Sequence, residues 1–430
     1  VTKNTLLFRS LQISNLKSRA AGKASGDARQ ISRRRQSLWR RTANLKFIEV
    51  GYLLTIVGLF LYSFTQIDLS LTLSQVSIWQ TAEKFFKNIG YFQRPLSSAI
   101  FVSVVLLLFT FYLLILNAVR SKKISKKSIW LLIISSTIIL NFSYNAFSYD
   151  LFNYIFDAKI VAFYHQNPYL HKALDFPGDP MLSFMHWTHR LYPYGPVWLG
   201  LTVPLAVGLK FFLLTFFLFK ILISLSFVGT VYFIGKILKK VSPEDEAFGI
   251  TFFALNPLVV IESLVSSHND MVMIFFAVCS VYLLMNKKYI RSIILFILSI
   301  GVKFATAFIL PIYILILLIK KRKKEVNWQF LFTLVASIMI IPVVLASYRT
   351  NFQPWYLLNI LPFAALVSRN YYIFIPSVIL SLFATFEYLP FLYLGNWDKP
   401  VPSILFWMTA SSIILSLLFT IAWGLKKVIK

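Results

Sequence analysis

The chain alternates between long apolar segments and short polar connections. Apolar runs of about 18 or more residues recur along it, which is typical of transmembrane helices. The two-residue alternation of an outer-membrane barrel is absent. The pattern predicts an all-α fold, a polytopic transmembrane helical bundle of about twelve spans. Their approximate limits are 47–65, 97–117, 129–147, 211–236, 247–264, 270–286, 290–302, 304–320, 327–347, 355–368, 371–390 and 403–424.

Composition and charge support this interpretation. The 430 residues are 58% hydrophobic and 14% charged, whereas soluble domains carry about a quarter charged residues. The net charge of +27 comes from blocks of Lys and Arg between apolar segments, as the positive-inside rule expects. The predicted partner is therefore a lipid bilayer rather than a nucleic acid. The single cysteine, Cys279, lies in an apolar run and excludes a disulfide framework within one chain.

The positions of the basic blocks predict the topology. Most of the 43 lysines and arginines fall on one side of the predicted spans, which places both termini in the cytoplasm of a plasma-membrane protein. Residues 1–46 are predicted to be a basic, disordered cytoplasmic tail attracted to anionic lipid, with RNA binding as the alternative. Residues 47–430 are predicted to form the transmembrane domain. The connection 148–196 then lies outside.

Two apolar segments do not fit simple spans. As one helix, residues 293–319 would run about 40 Å, longer than the hydrocarbon core of about 30 Å. We expect two short helices that turn near Gly301 and Lys303, with Lys303 in a depression below the outer surface. Residues 197–210 are short and contain Pro204, which predicts an interfacial or re-entrant helix.

The connection 148–196 is unusually rich in reactive side chains. It holds four of the five histidines and four of the sixteen acidic residues. A simple connection does not need that chemistry, whereas a site for a polar substrate at a membrane surface does. We predict a large extracytoplasmic loop that carries short interfacial helices and the reactive site.

Asp150 and Asp157 are the first candidates within this loop. They are seven residues apart, about two helical turns on one face, with Tyr154 between them. A carboxyl group among aromatic rings at a membrane edge can have its pKa raised toward that of a useful base. The alternative is a helix start, where Asp is favourable to the helix dipole.

Two turn-like elements combine rigid backbone with aromatic hydroxyls. One contains Asn167 and Tyr169, and the other contains Tyr194. Such groups suit the face and edge of a sugar. The alternative is anchoring in the aromatic belt of the membrane interface.

Further candidates follow later in the chain. His268 and Asp270 lie in the turn of a predicted helical hairpin on the same side as Asp150. Lys303 and Arg349 are cations that could bind a lipid-linked phosphate, and Tyr356 follows Arg349 closely. The alternatives are snorkelling of Lys303 to the headgroups and an ordinary solvated loop charge at Arg349.

No cofactor is predicted. His186 and His189 could hold a divalent metal together with a carboxylate, but no third ligand follows at a tight spacing. A phosphate-binding glycine-rich loop in its strand–turn–helix context is also absent from the sequence pattern. This disfavours a soluble nucleotide cosubstrate.

Taken in order, these motifs resemble a known superfamily. Asp150, Tyr154, Asn167-Pro168-Tyr169 and Tyr194-Gly195-Pro196 resemble the GT-C integral-membrane glycosyltransferases. A later set resembles their polyprenol-phosphate-mannose-dependent α-mannosyltransferases, over a resemblance that spans residues 47–424. That set is Asn256-Pro257, His268-Asn269-Asp270, Val302-Lys303-Phe304 and Pro311.

The resemblance implies transfer of a hexose, mannose, from a polyprenyl-phosphate donor to a lipid-linked or cell-envelope glycan acceptor. Transfer would occur on the extracytoplasmic side with inversion. Asp150 matches the catalytic carboxylate and His268 a histidine of the site, while Lys303 and Arg349 would balance the leaving phosphate. The remaining residues expected to bind substrate are Asp157, Tyr154, Asn167, Tyr169, Tyr194, Asp270 and Tyr356.

One departure concerns position. Many superfamily members carry the acidic residue after the first span, whereas Asp150 follows the third predicted span. Either two extra helices precede the core, or Asp68 and Glu83 carry more of the function. The competing hypothesis from a different class is a transporter or flippase of lipid-linked sugars.

Overall fold

The computed structural model describes residues 45–67, 76–210, 212–322 and 324–428. Within these ranges the chain contains helices and connections but no strand, so the predicted all-α fold class is confirmed. The helices are α1 (Leu45–Gln66), α2 (Ser77–Lys87), α3 (Arg94–Arg120), α4 (Lys126–Asn141), α5 (Asp150–Ala162), α6 (Pro196–Thr202), α7 (Phe212–Val241), α8 (Glu246–Ala254), α9 (Pro257–Val260), α10 (Asp270–Met285), α11 (Tyr289–Val302), α12 (Leu310–Lys321), α13 (Trp328–Ile338), α14 (Ile340–Thr350), α15 (Leu361–Ala365), α16 (Tyr371–Phe386), α17 (Leu389–Leu394) and α18 (Val401–Val428).

The described residues contain fewer span-length helices than the sequence predicts. Seven are long and apolar enough to cross a membrane, and a pair bent by 57° between α8 and α9 could be an eighth. The predicted count of about twelve is not confirmed. The predicted spans 270–286 and 290–302 become α10 and α11, which are too short by this measure. An apolar run reports exclusion from water, but it does not distinguish packing against lipid from packing against neighbouring helices. The seven are Leu45–Gln66, Arg94–Arg120, Phe212–Val241, Phe304–Lys321, Trp328–Thr350, Tyr371–Leu394 and Val401–Lys427.

The predicted break in the segment 293–319 is confirmed. Helix α11 ends at Val302, and Lys303 takes an extended conformation with φ −156° and ψ 135°. A 3-10 turn, Phe304–Ile309, then leads into α12. Likewise, residues 197–210 form α6 and a 3-10 stretch, Val203–Lys210. The extracytoplasmic position of the 148–196 connection stays a prediction.

Packing around α10 gathers several chain segments at one end of the molecule. Helix α10 is buried along most of its length and packs against α7 and α11. Its first turn also lies near the 3-10 turn Pro354–Asn359. Helix α5 packs on α6 and on the stretch Val203–Lys210. The N-terminal ends of α5 and α10 therefore meet, and both begin with an aspartate.

Lys220 is a buried cation that the sequence argument underestimated. It lies within α7 with 1% of its surface exposed, less than the 25% of the Lys303 side chain. Its ammonium donates to the backbone oxygen and the hydroxyl of Ser143, at 2.8 and 3.0 Å. Ser143 follows the end of α4, where carbonyl groups lack helical partners. Lys220 therefore ties α7 to α4.

The contacts divide the chain into two units, Val1–Gly51 and Tyr52–Lys430. Of the first unit, the structure describes only residues 45–51, which begin α1. The predicted basic tail, residues 1–46, lies almost entirely outside the described residues, so the domain boundary at residue 46 stays a prediction. Everything below concerns the second unit.

Candidate active site

The sharp turn between α9 and α10 positions the histidine of the site. Asn256 caps α9 by accepting a hydrogen bond from the backbone N–H of Leu258 at 3.0 Å, and Pro257 occupies the first helical position. Ser267 takes a left-handed conformation with φ 57°. His268 follows it and is fully buried. The chain thus reverses within a few residues and directs the imidazole inward.

Asp150 and His268, predicted as a pair, lie together in the structure. Their side chains approach to 3.6 Å between Asp150 Oδ2 and His268 Nδ1. The Asp150 carboxylate is 7% exposed, and its backbone N–H donates to the Ser148 hydroxyl at 3.2 Å. The neighbouring Trp355 stacks on the imidazole, with ring centroids 4.2 Å apart. Stacking and burial hold the ring against the carboxylate.

Sequence reasoning missed Glu262, which completes a row of polar groups. Its Oε2 lies 3.2 Å from His268 Nε2, and its Oε1 accepts a hydrogen bond from the Tyr388 hydroxyl at 2.8 Å. Glu262 is fully buried in the π-helical segment Ile261–Val265. A carboxylate inside an apolar helix was the available signal, because such residues are rare and functional in membrane proteins.

The two imidazole nitrogens of His268 form no hydrogen bond with any residue that the structure describes. Their contacts with the two carboxylates are close but not aligned as hydrogen bonds. Catalytic hydrogen bonds are often long before substrate binds. A fully buried imidazole in this state is therefore able to take up a new partner.

Lys303 and Asp270 form a closed ion pair. The Lys303 ammonium lies 3.0 and 2.8 Å from the two Asp270 oxygens, and Asp270 is fully buried. The same ammonium lies 6.0 Å from the ring centres of Tyr194 and Tyr356. Three of the predicted residues thus surround Lys303, and its charge is already balanced within the protein.

Two glycines allow the loop before α6 to approach the break after α11. The Gly195 N–H donates to the Val302 carbonyl at 3.1 Å. A Cβ atom on Gly195 would lie 2.1 Å from the Gly301 oxygen, and one on Gly301 would lie 2.4 Å from Val197. Only glycine permits this approach, which carries Tyr194 to Lys303.

Replacement of Gly195 by Ala is therefore expected to destabilise the protein by about 1–3 kcal/mol, as overpacking does. The matched control is Gly200→Ala, since a Cβ atom there has no neighbour within 4 Å. Thermal unfolding in detergent, followed by tryptophan fluorescence, measures both. Equal stability of the two variants would contradict the close approach.

The other predicted residues of the loop form hydrogen bonds that hold neighbouring segments of the site in place. Tyr154 donates to the Asn269 side chain at 3.4 Å and is buried. Tyr169 donates to the Tyr194 carbonyl at 3.0 Å. Asn167 is exposed, and its side chain accepts from the Tyr169 N–H at 2.9 Å. Asn167 and Tyr169 thus support the turn carrying Tyr194 and are not among the residues lining the cavity described next.

Asp150 opens into a cavity of about 630 Å³. Around the carboxylate, its wall is formed by Tyr149, His186, Trp187 and Trp355. His186 stacks on Tyr149 at 3.7 Å between ring centroids, so it is part of an aromatic wall. A set of apolar residues also lines the cavity: Phe391, Leu392, Trp397, Val401, Pro402, Leu405 and Phe406. The buried Glu387, which accepts a hydrogen bond from the Thr409 hydroxyl at 2.9 Å, lies among them.

One basic residue, Arg94, is among the residues that line this cavity. It was not singled out from the sequence. It begins α3, lies 5.7 Å from the ring centre of Tyr91 and donates to the Leu392 carbonyl at 3.4 Å. None of the carboxylates in the described residues pairs with it. Arg349 is exposed and does not line the cavity, although the adjacent residues 350–355 do.

Opposing influences act on the pKa of the Asp150 carboxyl group, and burial is the largest of them. Burial raises the pKa of its carboxyl group, and Asp270 adds to this, while the charges of Arg190 and Lys303 oppose it. Burial also raises the pKa of Asp157 to about 8. For His268, burial and then the Lys303 charge lower the pKa well below its usual value. The imidazole is therefore neutral at physiological pH.

The sequence left two questions open, namely whether Asp68 or Glu83 carries part of the function and whether a metal is bound. Glu83 forms an ion pair with Lys87 at 2.5 Å on α2, and Asp68 lies outside the described residues. Among the described residues, no group of three His, Cys, Asp or Glu side chains is arranged to hold a metal. The expectation that the protein uses no cofactor stays a prediction.

Among the described residues, helices of span length surround a buried carboxylate that lines a cavity, an arrangement that suits an integral-membrane glycosyltransferase. Residues 51–319 match the family Alpha-(1->6)-mannopyranosyltransferase, N-terminal domain, of the MptA/B group. The chain belongs to this family and is a mannosyltransferase of the GT-C type. The predicted resemblance is thereby confirmed. No curated protein and no solved structure matches the chain.

Proposed function

We propose that the protein transfers mannose from a polyprenyl-phosphate donor to a glycan or glycolipid acceptor on the extracytoplasmic side, with inversion. The observation that carries this proposal is the position of Asp150. Asp150 lines a cavity to which aromatic and polar side chains and a set of apolar side chains both contribute. A donor with a sugar at one end and an isoprenoid chain at the other combines the same two kinds of surface. Membership of the α-(1→6)-mannopyranosyltransferase family suggests an α-(1→6) linkage in the product.

In the proposed reaction, Asp150 accepts the proton of the acceptor hydroxyl as the oxygen attacks the anomeric carbon. The new glycosidic bond forms while the bond from the anomeric carbon to the phosphate oxygen breaks. The phosphate leaves with the bonding electrons as polyprenyl phosphate, and the proton remains on Asp150. Neutral His268 lies between the carboxylates of Asp150 and Glu262 and positions Asp150 for this step.

Arg94 is the proposed ligand of the donor phosphate. A guanidinium binds phosphate through paired N–H groups, and Arg94 lines the same cavity as the apolar residues. Lys303 contributes positive potential, since its charge acts on both Asp150 and His268. A direct contact between Arg349 and the phosphate remains a proposal. The geometry supports it less well than a contact of Arg94, because Arg349 does not line the cavity.

The function is tested with purified protein in lipid nanodiscs and a mannan oligosaccharide acceptor. Radiolabelled polyprenyl-phosphate mannose and GDP-mannose are supplied in separate reactions. We expect labelled product from the lipid donor only, with an α-(1→6) linkage by methylation analysis. Labelling only from GDP-mannose would refute the donor. Movement of intact lipid-linked sugar across the bilayer without product would favour the transporter hypothesis.

Substitution of Arg94 by Gln is expected to raise the KM for the lipid donor at least about tenfold, because a charged hydrogen-bond partner of the phosphate is lost. The KM for the acceptor should stay unchanged. Arg349→Gln is the matched control at an exposed position. Donor and acceptor titrations measure both constants. A larger effect at Arg349 than at Arg94 would reverse the assignment.

The pH profile tests the role of Asp150 as a base. Activity should fall as pH drops through the raised pKa of Asp150, because only the ionised form accepts a proton. Arg190 lowers this pKa, so Arg190→Gln is expected to move the acidic limb of kcat/KM to higher pH. Lys172→Gln, in the same connection, is the control and should leave the limb in place. A shift to lower pH in Arg190→Gln would exclude Asp150 as the titrating group.

A further inference from the structure

A second cavity lies away from Asp150 and shares no lining residue with the first. Its volume is about 520 Å³, and its lining residues are Lys240, Val241, Met285, Val326, Asn327, Trp328 and Gln329. Lys240 ends α7, and Lys320 lies in the last turn of α12. Helix α12 follows the break at Lys303. The second cavity is therefore separated from the Lys303 site by about the length of a helix.

Three lysines lie around the end of α10, beside this cavity, and we call Lys240, Lys287 and Lys320 the lysine cluster. Of these, Lys240 lines the cavity. Lys320 is half-buried and donates to the Leu284 carbonyl at 2.7 Å, and it lies 5.5 Å from the ring centre of Trp328. Lys240 donates to the Asn286 side chain. Lys287 directly follows Asn286 in the chain. Two lysine ammonium groups therefore contact the end of α10, and the third lysine begins the connection after it.

The lysine cluster has no internal counter-charge. Among the described residues, none of its members forms an ion pair with a carboxylate. The left-handed backbone of Lys287, φ 60°, belongs to the cap that ends α10, since its N–H donates to the Leu284 carbonyl at 3.2 Å. Neighbouring like charges repel each other, and a bound anion would relieve that repulsion.

Aromatic rings surround the cluster at the end of two span-length helices. Lys320 lies 5.6 Å from the ring centre of Tyr289, and Lys240 lies 5.7 Å from that of Tyr282. Tyr and Trp are enriched where helices leave the hydrocarbon core. This aromatic setting at the ends of span-length helices suits the headgroup region of a bilayer, and three lysines favour an anionic ligand there.

We propose that the lysine cluster binds a phosphate group, supplied by the headgroup of an anionic phospholipid, at the end of the molecule opposite the Asp150 cavity. Lysine ammonium groups bind phosphate as compact point charges, and basic pockets between transmembrane helices suit phospholipid headgroups. The proposal does not depend on the donor or the reaction.

The test uses the full chain in nanodiscs of phosphatidylcholine with a minor fraction of phosphatidylglycerol. Native mass spectrometry counts the phosphatidylglycerol that the protein retains. The triple substitution Lys240→Gln, Lys287→Gln and Lys320→Gln is expected to lower retention about tenfold. A matched control removes the same charge from exposed lysines of another basic connection, Lys122→Gln, Lys123→Gln and Lys127→Gln, and should retain the lipid.

Two further measurements separate loss of binding from loss of folding, and a lipid phosphate from free phosphate. Substitution of the same three lysines by Arg preserves the charge and should preserve retention, which separates lost binding from lost folding. In phosphatidylcholine nanodiscs, inorganic phosphate is added and protection against thermal unfolding is measured. Protection that the cluster variant lacks, without lipid retention, supports the phosphate site and identifies a soluble source. Equal lipid loss in cluster and control variants, or binding in neither arm, overturns the proposal.

Discussion

Replacement of Asp150 by Asn is expected to lower kcat by about 10²–10⁴-fold, the usual contribution of a positioned general base. Asn preserves the shape of the side chain but cannot accept the proton of the acceptor hydroxyl. The donor should still bind, because the apolar residues of the cavity and Arg94 are untouched. Single-turnover assays with labelled polyprenyl-phosphate mannose measure chemistry, and equilibrium binding of the same lipid measures capture.

The control for this variant is Asp175→Asn. Asp175 belongs to the same connection but is exposed and contacts His171 at 3.6 Å. Its loss should leave kcat within about twofold, as expected for a weak surface contact. If Asp150→Asn turns over like wild type, Asp150 is not the base, and Glu262 becomes the next candidate.

Replacement of Asp270 by Asn is expected to destabilise the folded protein by about 3 kcal/mol. This is the low end of the cost of breaking a buried ion pair, because Lys303 keeps 25% of its side chain exposed. The substitution leaves a cation facing Tyr194 and Tyr356 without its carboxylate. Thermal unfolding in detergent measures the change.

A double variant tests whether the Asp270–Lys303 pair contributes only to stability or also to activity. The double variant Asp270→Asn with Lys303→Met removes both charges and should recover most of the lost stability. If Lys303 also supplies potential at the leaving group, activity will not recover with it. The surface control is Glu246→Gln, which breaks a pair with the half-exposed Lys126 and should cost less than about 1 kcal/mol. Recovery of both stability and activity would reduce the Asp270–Lys303 pair to a structural role.

The individual site residues were predictable to different degrees. Asp150 and His268 could be found because aspartate and histidine beside apolar segments are costly without a use. Lys303 was found for the same reason, and the break around it followed from length alone. Asn167 and Tyr169 were read correctly as a turn, but their hydrogen bonds go to the loop rather than into the cavity.

Two residues of the site, Glu262 and Arg94, were not identified from the sequence. Glu262 lies within a long apolar run, so the pattern favoured a plain helix there. Arg94 looked like one loop cation among several. Their roles depend on partners far away in the chain, since Glu262 meets Tyr388 and Arg94 meets Leu392.

The sequence by itself determined the helical membrane class, the family resemblance and the break at Lys303. These follow from local quantities, namely hydropathy over about 20 residues, helix length and the cost of an intramembrane charge. Only the tertiary structure decided how many helices have span length and which cation faces the cavity. Only the structure showed that Lys303 is paired with Asp270. The physical reason is that burial and charge compensation depend on contacts between distant segments, which a hydrophobic pattern does not contain.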